Sequence, residues 1–206
     1  MARNGTGLVA ILRGVTPDEV AGIGAALVAA GVDAVEVPLN SPDPFTSVER
    51  LATSLGDECL VGAGTVVDVA DVARAADAGA RIVVAPNTDQ AVIAAALDAG
   101  MRPYPGVATP TEAFAAVAAG ARHLKLFPAD AVGIGGMKAW RAVLPPDVEL
   151  LPVGGVDGTN LAAWAAAGAG GAGLGTALYR PGDAAEQVGE RARVLRGAWA
   201  EGRNAP

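Results

Sequence analysis

The sequence predicts an α/β fold, a single-domain (β/α)8 TIM barrel over residues 1–206. Eight short runs rich in Val, Ile and Leu begin roughly 20–27 residues apart, and alanine-rich segments with helical spacing of apolar residues lie between them. Strict alternation of strand and helix implies parallel strands joined by right-handed crossovers. Eight such units favour a closed barrel, with a doubly wound open sheet as the alternative. No linker or change of composition divides the chain, so one domain is expected.

Each predicted strand is a short apolar run bounded by turn-forming residues. The strands are expected at 8–12, 34–39, 59–66, 81–86, 102–107, 123–128, 150–156 and 172–178. Most predicted helices begin near Asp, Thr or Asn and end at Gly or Pro. The helices are expected at 17–31, 43–56, 69–79, 88–100, 109–120, 133–145, 159–170 and 184–202. The chain is shorter than the roughly 250 residues typical of this fold, so few insertions are expected.

Composition excludes several classes of function. The formal charge of −7 argues against non-specific binding to nucleic acid or to an anionic membrane, although a phosphorylated small molecule remains compatible with it. Cys59 is the only cysteine and His123 the only histidine, so neither an internal disulfide nor a Cys/His zinc site can form. No apolar run approaches the roughly 18 residues of a membrane span, and the start of the chain lacks a signal-peptide pattern. We therefore expect a cytoplasmic protein.

In a barrel, functional side chains lie at the C-terminal ends of the strands and in the loops that follow. The first strand is followed by Arg13, whose planar guanidinium suits a carboxylate or phosphate; a solvated arginine is the alternative. The second strand holds Glu36 as its only charge. Burial raises the pKa of a carboxyl group toward neutrality, so Glu36 is a candidate general acid/base. The alternative for Glu36 is a structural ion pair inside the barrel.

The sixth strand, HLKLFP, contains a lysine in an otherwise apolar run. Alternation places His123, Lys125 and Phe127 on one face of this strand. An inward Lys125 would be desolvated, which lowers the pKa of its ammonium group. The neutral amine is then able to attack a ketone and form a Schiff base. The alternative is a lysine paired with Glu36 for structure alone, whereas Lys138 is expected on a solvated helix face.

Glycine-rich strand ends predict backbone contacts to a ligand. The predicted third strand ends in GAGTV, where Thr65 offers both a hydroxyl and an N–H group. The seventh and eighth strands end in PVGGV and GLGT, where a barrel binds phosphate through backbone N–H groups. The residues concerned are Gly154, Gly155, Gly175 and Thr176. Tight turns without a ligand are the alternative.

Eight motifs together resemble a known family. AILRG, EVPLNSP, GAGTV, APNT, PGVATPTEA, LKLFPA, PVGGV and GLGTALYR occur in the order and spacing of the 2-keto-3-deoxy-6-phosphogluconate/6-phosphogalactonate aldolases, and they cover nearly the whole chain. The resemblance implies a class I aldolase on an (α/β)8 barrel, usually a homotrimer, with a lysine imine and without metal or other cofactor. It further implies reversible cleavage of a phosphorylated 2-keto-3-deoxy sugar acid to pyruvate and D-glyceraldehyde 3-phosphate.

The resemblance also assigns roles to individual residues. Lys125 matches the family's Schiff-base lysine, and Glu36 matches its acid/base glutamate. Arg13 and Thr65 match the residues that bind the substrate carboxylate. The phosphate-binding positions match Gly154, Gly155, Gly175 and Thr176, the last standing where many relatives have serine.

Three positions separate the two branches of the family. The phosphogluconate branch resembles EVTLR with a TGG turn, whereas this chain has Pro38, Asn40 and Val153. Loss of the threonine hydroxyls is expected to alter selectivity at C4 of the substrate. We therefore expect 2-dehydro-3-deoxy-6-phosphogalactonate as substrate, with its C4 epimer 2-dehydro-3-deoxy-6-phosphogluconate or 4-hydroxy-2-oxoglutarate as alternatives. Other rivals are a different phosphate-binding barrel, such as an epimerase or a thiamine-phosphate-type synthase, and a barrel that binds without catalysis.

Overall fold

The computed structural model describes residues 6–205, and this part of the chain alternates strands with helices as the sequence predicts. The strands are β1 Gly7–Ile11, β2 Ala34–Pro38, β3 Leu60–Gly64, β4 Ile82–Val84, β5 Arg102–Tyr104, β6 Gly106–Val107, β7 His123–Leu126, β8 Glu149–Pro152 and β9 Gly171–Leu174. The helices are α1 Pro17–Ala29, α2 Pro44–Leu55, α3 Val69–Asp77, α4 Gln90–Asp98, α5 Pro110–Ala118, α6 Ala129–Arg141, α7 Leu161–Ala166 and α8 Ala185–Arg203.

All strand pairs are parallel, and the strands form a curled α/β sheet arrangement of the TIM-like kind. Six strands pair in the order β5-β4-β3-β2-β1-β9, and three more pair in the order β6-β7-β8. An isolated bridge between Val153 and Gly173 links the end of β8 to β9. Because parallel strands end at the same edge, the loops that follow them lie on one side of the molecule.

The predicted fifth strand differs from the structure, which divides it into β5 and β6 around Pro105. Proline has no N–H to donate to a ladder, so continuous pairing is interrupted there. The Pro105 carbonyl accepts instead from the backbone N–H of Lys125 at 2.9 Å. β5 pairs with β4 and β6 pairs with β7, so the interruption coincides with the change from one sheet to the other.

Helix boundaries follow capping signals in the sequence. Thr109 and Glu112 form a capping box at the start of α5, each side chain bonding the other residue's backbone N–H. The sixth helix departs from expectation, because it begins at Ala129, directly after Pro128, rather than at Gly133. Gly133 is non-helical, with φ 70° and ψ 167°, and kinks the helix. Within residues 6–205, no helix has the length and apolar character needed to span a bilayer.

The strands bury two different faces. Val35 and Val37 of β2 belong to the large core between strands and helices. Ala34, between Asp33 and Val35 along the chain, belongs to a second cluster on the opposite face of the strands. This cluster also contains Val9, Ile82, Val84, Tyr104 and Leu151. The side chains of β2 therefore alternate between the two faces, and this alternation turns Glu36 toward the same interior as Ala34.

Candidate active site

Lys125 lies in the interior, where the sequence pattern places it. Its neighbours on β7, Leu124 and Leu126, pack in the helix-side core, and Lys125 itself is only 7% exposed. Its Nζ lies 4.6 Å from the centroid of the Phe127 ring. Burial lowers the pKa of the ammonium group, the nearby Glu36 carboxylate opposes this shift, and the Arg13 guanidinium adds to it. The net lowering increases the fraction of neutral, nucleophilic amine.

Glu36 is 2% exposed on β2, and its Oε2 atom has no hydrogen-bond partner within the described part of the chain. Burial raises the pKa of this carboxyl group from 4.5 to about 7, against the opposing effects of the Lys125 and Arg13 charges. A group with this pKa is able to accept and return a proton near neutral pH. The unpartnered oxygen is thus available to a bound molecule.

Space for the Glu36 carboxylate depends on Gly64 of β3. A Cβ atom at this position would lie 1.7 Å from Glu36 Oε2, so any side chain at residue 64 would displace the carboxylate. From the sequence, the glycines of GAGTV predicted close approach of a ligand to the backbone. In the structure, the absence of a side chain at Gly64 also leaves room for the Glu36 carboxylate on the neighbouring strand.

Glu36 and Lys125 line one narrow cavity, whose volume is about 20 Å³. The other walls include Val9, Ile11, Val84, Tyr104, Leu151 and Val153. This volume is enough for about one water molecule, and the mostly apolar walls explain why both charged groups are desolvated. Tyr104 was not singled out from the sequence, because it follows a proline in a strand without regular alternation.

His123 stands apart from this cavity. It lies at the start of β7 and its ring packs against Tyr104 at 5.0 Å between centroids, tilted by 31°. Its Nε2 atom is 4.0 Å from Glu149 Oε2, at the start of β8. His123 thus lies at the opposite end of the strands from the loops that carry the candidate site, a position that favours a structural rather than an acid/base role.

Arg13 extends from the loop after β1 and meets two other predicted site residues. Its Nη1 atom donates to Asn40 Oδ1 and its Nη2 atom donates to Thr65 Oγ1 at 3.4 Å. Thr65 has a φ of 59°, in the left-handed region that is uncommon for a β-branched residue. Ser41, which the sequence did not suggest, lies in the loop after β2 and accepts from the Gly14 N–H at 2.9 Å, which ties this loop to the one that carries Arg13.

The glycine-rich ends of β8 and β9 offer backbone donors. Gly154 and Gly155 have φ of 91° and 71°, conformations that strongly favour glycine. Leu178 N–H donates to the Gly175 carbonyl at 2.8 Å, which closes a helical turn after β9. In the part of the chain that the structure describes, the N–H groups of Gly155, Thr176 and Ala177 donate to no protein acceptor. Free N–H groups at a turn of this kind are suited to bind an anion.

Comparison with known proteins decides the family. The family model for KDPG and KHG aldolases matches residues 3–191. This chain belongs to that aldolase family. The resemblance inferred from the motifs is confirmed, and the protein is an aldolase, a carbon–carbon lyase, of the Schiff-base type.

Two relatives and one solved structure match this aldolase over most of their own length. A probable 2-dehydro-3-deoxy-6-phosphogalactonate aldolase of Rhizobium meliloti strain 1021 is 52% identical, over 90% of this chain and 87% of the relative. The 2-dehydro-3-deoxy-6-phosphogalactonate aldolase of Escherichia coli K12 is 46% identical, over 94% and 95% of the two chains. A solved structure described as native KDPGal is 45% identical, with a TM-score of 0.94 and 96% of each chain covered.

The aldolase therefore brings its predicted site residues together in three groups. Lys125, Glu36 and Val153 line the cavity. Arg13 contacts Asn40 and Thr65, while Pro38 is buried at the end of β2, where it pairs with Gly64. The third group follows β8 and β9, whose ends are linked by the Val153–Gly173 bridge, and comprises Gly154, Gly155, Gly175 and Thr176. Lys138 is exposed on α6, as predicted, and belongs to none of them.

Proposed function

We propose that this aldolase reversibly cleaves 2-dehydro-3-deoxy-6-phosphogalactonate to pyruvate and D-glyceraldehyde 3-phosphate. The observation that carries this proposal is the placement of Lys125 and Glu36 in one desolvated cavity, with the pKa of the amine lowered and that of the carboxyl raised to about 7. Relatives bearing the name of this activity match the chain at 52% and 46% identity, which supports the choice of substrate.

The proposed chemistry begins at Lys125. Its neutral amine attacks the C2 ketone, and loss of water gives a protonated imine. Glu36 accepts the proton of the C4 hydroxyl, the C3–C4 bond breaks, and the aldehyde leaves. The bonding electron pair moves into the imine and forms an enamine. Protonation of C3 and hydrolysis of the resulting imine release pyruvate and return the amine.

The two ends of the substrate are assigned to different loops. Arg13 and Thr65 bind the C1 carboxylate, because the guanidinium already lies against the Thr65 hydroxyl and is held from the other side by Asn40. Gly154, Gly155, Gly175 and Thr176 bind the phosphate through backbone N–H groups and the Thr176 hydroxyl. This division places the reacting C2–C4 segment beside the cavity between the two ends.

Selectivity at C4 is assigned to Pro38 and Val153, with Asn40 acting indirectly. Val153 lines the cavity beside Lys125 and carries methyl groups where the other branch has a hydroxyl. Pro38 ends β2 two residues after Glu36, where it likewise lacks a hydroxyl. The Asn40 side-chain oxygen is occupied by Arg13, so this residue orients the guanidinium.

Four further properties complete the proposal. The two sheets form one closed, single-domain (β/α)8 barrel, supported by the Val153–Gly173 bridge and by the 2.9 Å bond from Lys125 N–H to the Pro105 carbonyl between β5 and β6. The enzyme needs no metal or other cofactor, because the lysine imine is the electron sink. It acts as a homotrimer, as is usual in the family, and in the cytoplasm.

A side-by-side assay tests the choice of substrate. Turnover of the C4 epimers 2-dehydro-3-deoxy-6-phosphogalactonate and 2-dehydro-3-deoxy-6-phosphogluconate, and of 4-hydroxy-2-oxoglutarate, is followed by pyruvate release in the presence of EDTA. We expect kcat/KM at least about tenfold higher for the first substrate, because the apolar groups at 38 and 153 offer no hydrogen bond to the other epimer. Preference for the second epimer would contradict the assignment of Pro38 and Val153. Complete inhibition by EDTA would contradict the metal-free mechanism.

A further inference from the structure

The loops that follow β1 and β9 lie side by side. These strands pair in parallel from Gly7 opposite Gly171 to Ala10 opposite Leu174. The loop after β1 carries Arg13, and the loop after β9 carries Thr176. The two loops thus hold the groups to which the proposed function assigns opposite ends of the substrate.

Tyr179 connects these loops. Its backbone N–H donates to the Gly175 carbonyl at 3.0 Å, so this residue takes part in closing the turn that presents Thr176. Its phenol, with the whole residue only 2% exposed, donates to Glu19 Oε1 at 2.6 Å, in the first turn of α1. Burial and the Glu19 carboxylate raise the pKa of the phenol, so it remains a protonated donor.

Glu19 extends the connection to the Arg13 loop. Its Oε2 atom accepts from the Thr16 hydroxyl at 2.8 Å, directly before α1. Close packing reinforces this link, because a Cβ atom at Gly14 would lie 2.8 Å from Pro181 Cγ in the loop after β9. A hydrogen bond to a charged acceptor, partly shielded from water, is stronger than one between neutral groups.

We propose that Tyr179 and Glu19 form a positioning pair that fixes the spacing between the carboxylate-binding and phosphate-binding loops. This inference rests on the proposed function. Neither side chain touches the reacting atoms in this account. The pair makes the enzyme selective for a phosphorylated chain of one length, because both ends of the substrate must be reached at once for the phosphate to add to affinity.

Tyr179→Phe tests this role, since it keeps the buried ring and removes the hydroxyl. The substrates are the phosphorylated 2-keto-3-deoxy sugar acid and the same acid without phosphate. For the phosphorylated substrate we expect KM to rise about tenfold, the effect of losing one hydrogen bond to a charged group, with kcat within about twofold. For the substrate without phosphate we expect KM to be unchanged.

Substitutions at Glu19 provide an independent measurement should Tyr179→Phe fold poorly. Glu19→Gln retains an acceptor for the phenol and should keep the native ratio of the two KM values. Glu19→Ala removes the acceptor and should reproduce the effect of Tyr179→Phe. Glu186→Ala is the matched control, because Glu186 occupies the first turn of α8, is exposed, and should leave the ratio unchanged.

The outcomes separate this inference from the function on which it rests. The positioning role would be overturned if the ratio of the two KM values were native in both Tyr179→Phe and Glu19→Ala. This holds whether both KM values stay native or both change by the same factor. Borohydride trapping of pyruvate on the native protein and on Tyr179→Phe should be equally efficient. If the native protein traps no pyruvate, the proposed function fails, whatever the variants show.

Discussion

Lys125→Ala is expected to lower kcat for cleavage of the phosphorylated substrate by at least about 10⁴-fold, because among residues 6–205 no other amine lines the cavity to form the imine. Pyruvate release followed over hours at high enzyme concentration measures this residual rate. Lys138→Ala is the matched control, since Lys138 is the only other lysine and lies exposed on α6. It should retain near-native turnover.

A second variant, Lys125→Met, shows whether turnover is lost through unfolding. Methionine has nearly the length and shape of the lysine side chain but carries no amine. At neutral pH the unfolded chain carries a protonated lysine, whereas burial lowers the pKa of Lys125 in the folded protein. At pH values below the pKa of lysine in the unfolded chain, the buried Lys125 therefore lowers the free energy of unfolding. An apolar side chain at this position removes that destabilisation. The thermal midpoint of Lys125→Met should equal or exceed that of the native protein. Substantial turnover by this folded variant would contradict the role of Lys125.

Glu36→Gln is expected to lower kcat by about 10²- to 10⁴-fold while pyruvate binding changes far less, because the amide cannot take the C4 hydroxyl proton. The native rate should rise with pH up to a plateau above about 7, where the carboxyl group becomes ionised. This rise of the rate with pH, the acidic limb of the pH–rate profile, should disappear in Glu36→Gln. Steady-state kinetics between pH 5 and about 8 measure both effects.

Glu36→Gln should be at least as stable toward unfolding as the native protein. The carboxyl of Glu36 has a raised pKa in the folded protein, so folded-state protonation adds stability at low pH that is lost as pH rises from 4.5 through about 7. A neutral amide avoids this loss. Glu149→Gln, at the opposite end of the strands, is the control and should leave kcat within about twofold. Retention of the native pH limb in Glu36→Gln would assign that limb to another group.

The chemistry of the cavity was predictable because it depends on strand alternation. Glu36 and Lys125 are each a single charged residue in an apolar strand. The alternation of the neighbouring side chains shows on which face of the strand such a residue lies. Parallel strands then bring such residues to one interior. The pairing of these two residues in one cavity follows from topology, which the regular alternation of strands and helices already indicates.

The parts that were missed depend on contacts between residues distant in sequence. The need for glycine at position 64 arises from the Glu36 carboxylate on the neighbouring strand, and no local pattern contains that information. Tyr104 reaches the cavity through a strand shortened by Pro105, where alternation is too brief to assign a face. The bond from Tyr179 to Glu19 spans 160 residues and was equally invisible.

Reduction with borohydride in the presence of pyruvate tests the central claim most directly. The imine between Lys125 and pyruvate should be reduced to a stable secondary amine, detected by mass spectrometry as a carboxyethyl group on the peptide that contains HLKLFPA. Lys138 should remain unmodified, and Lys125→Met should take up no label. A label on a different residue, or active native protein that takes up none, would contradict the account.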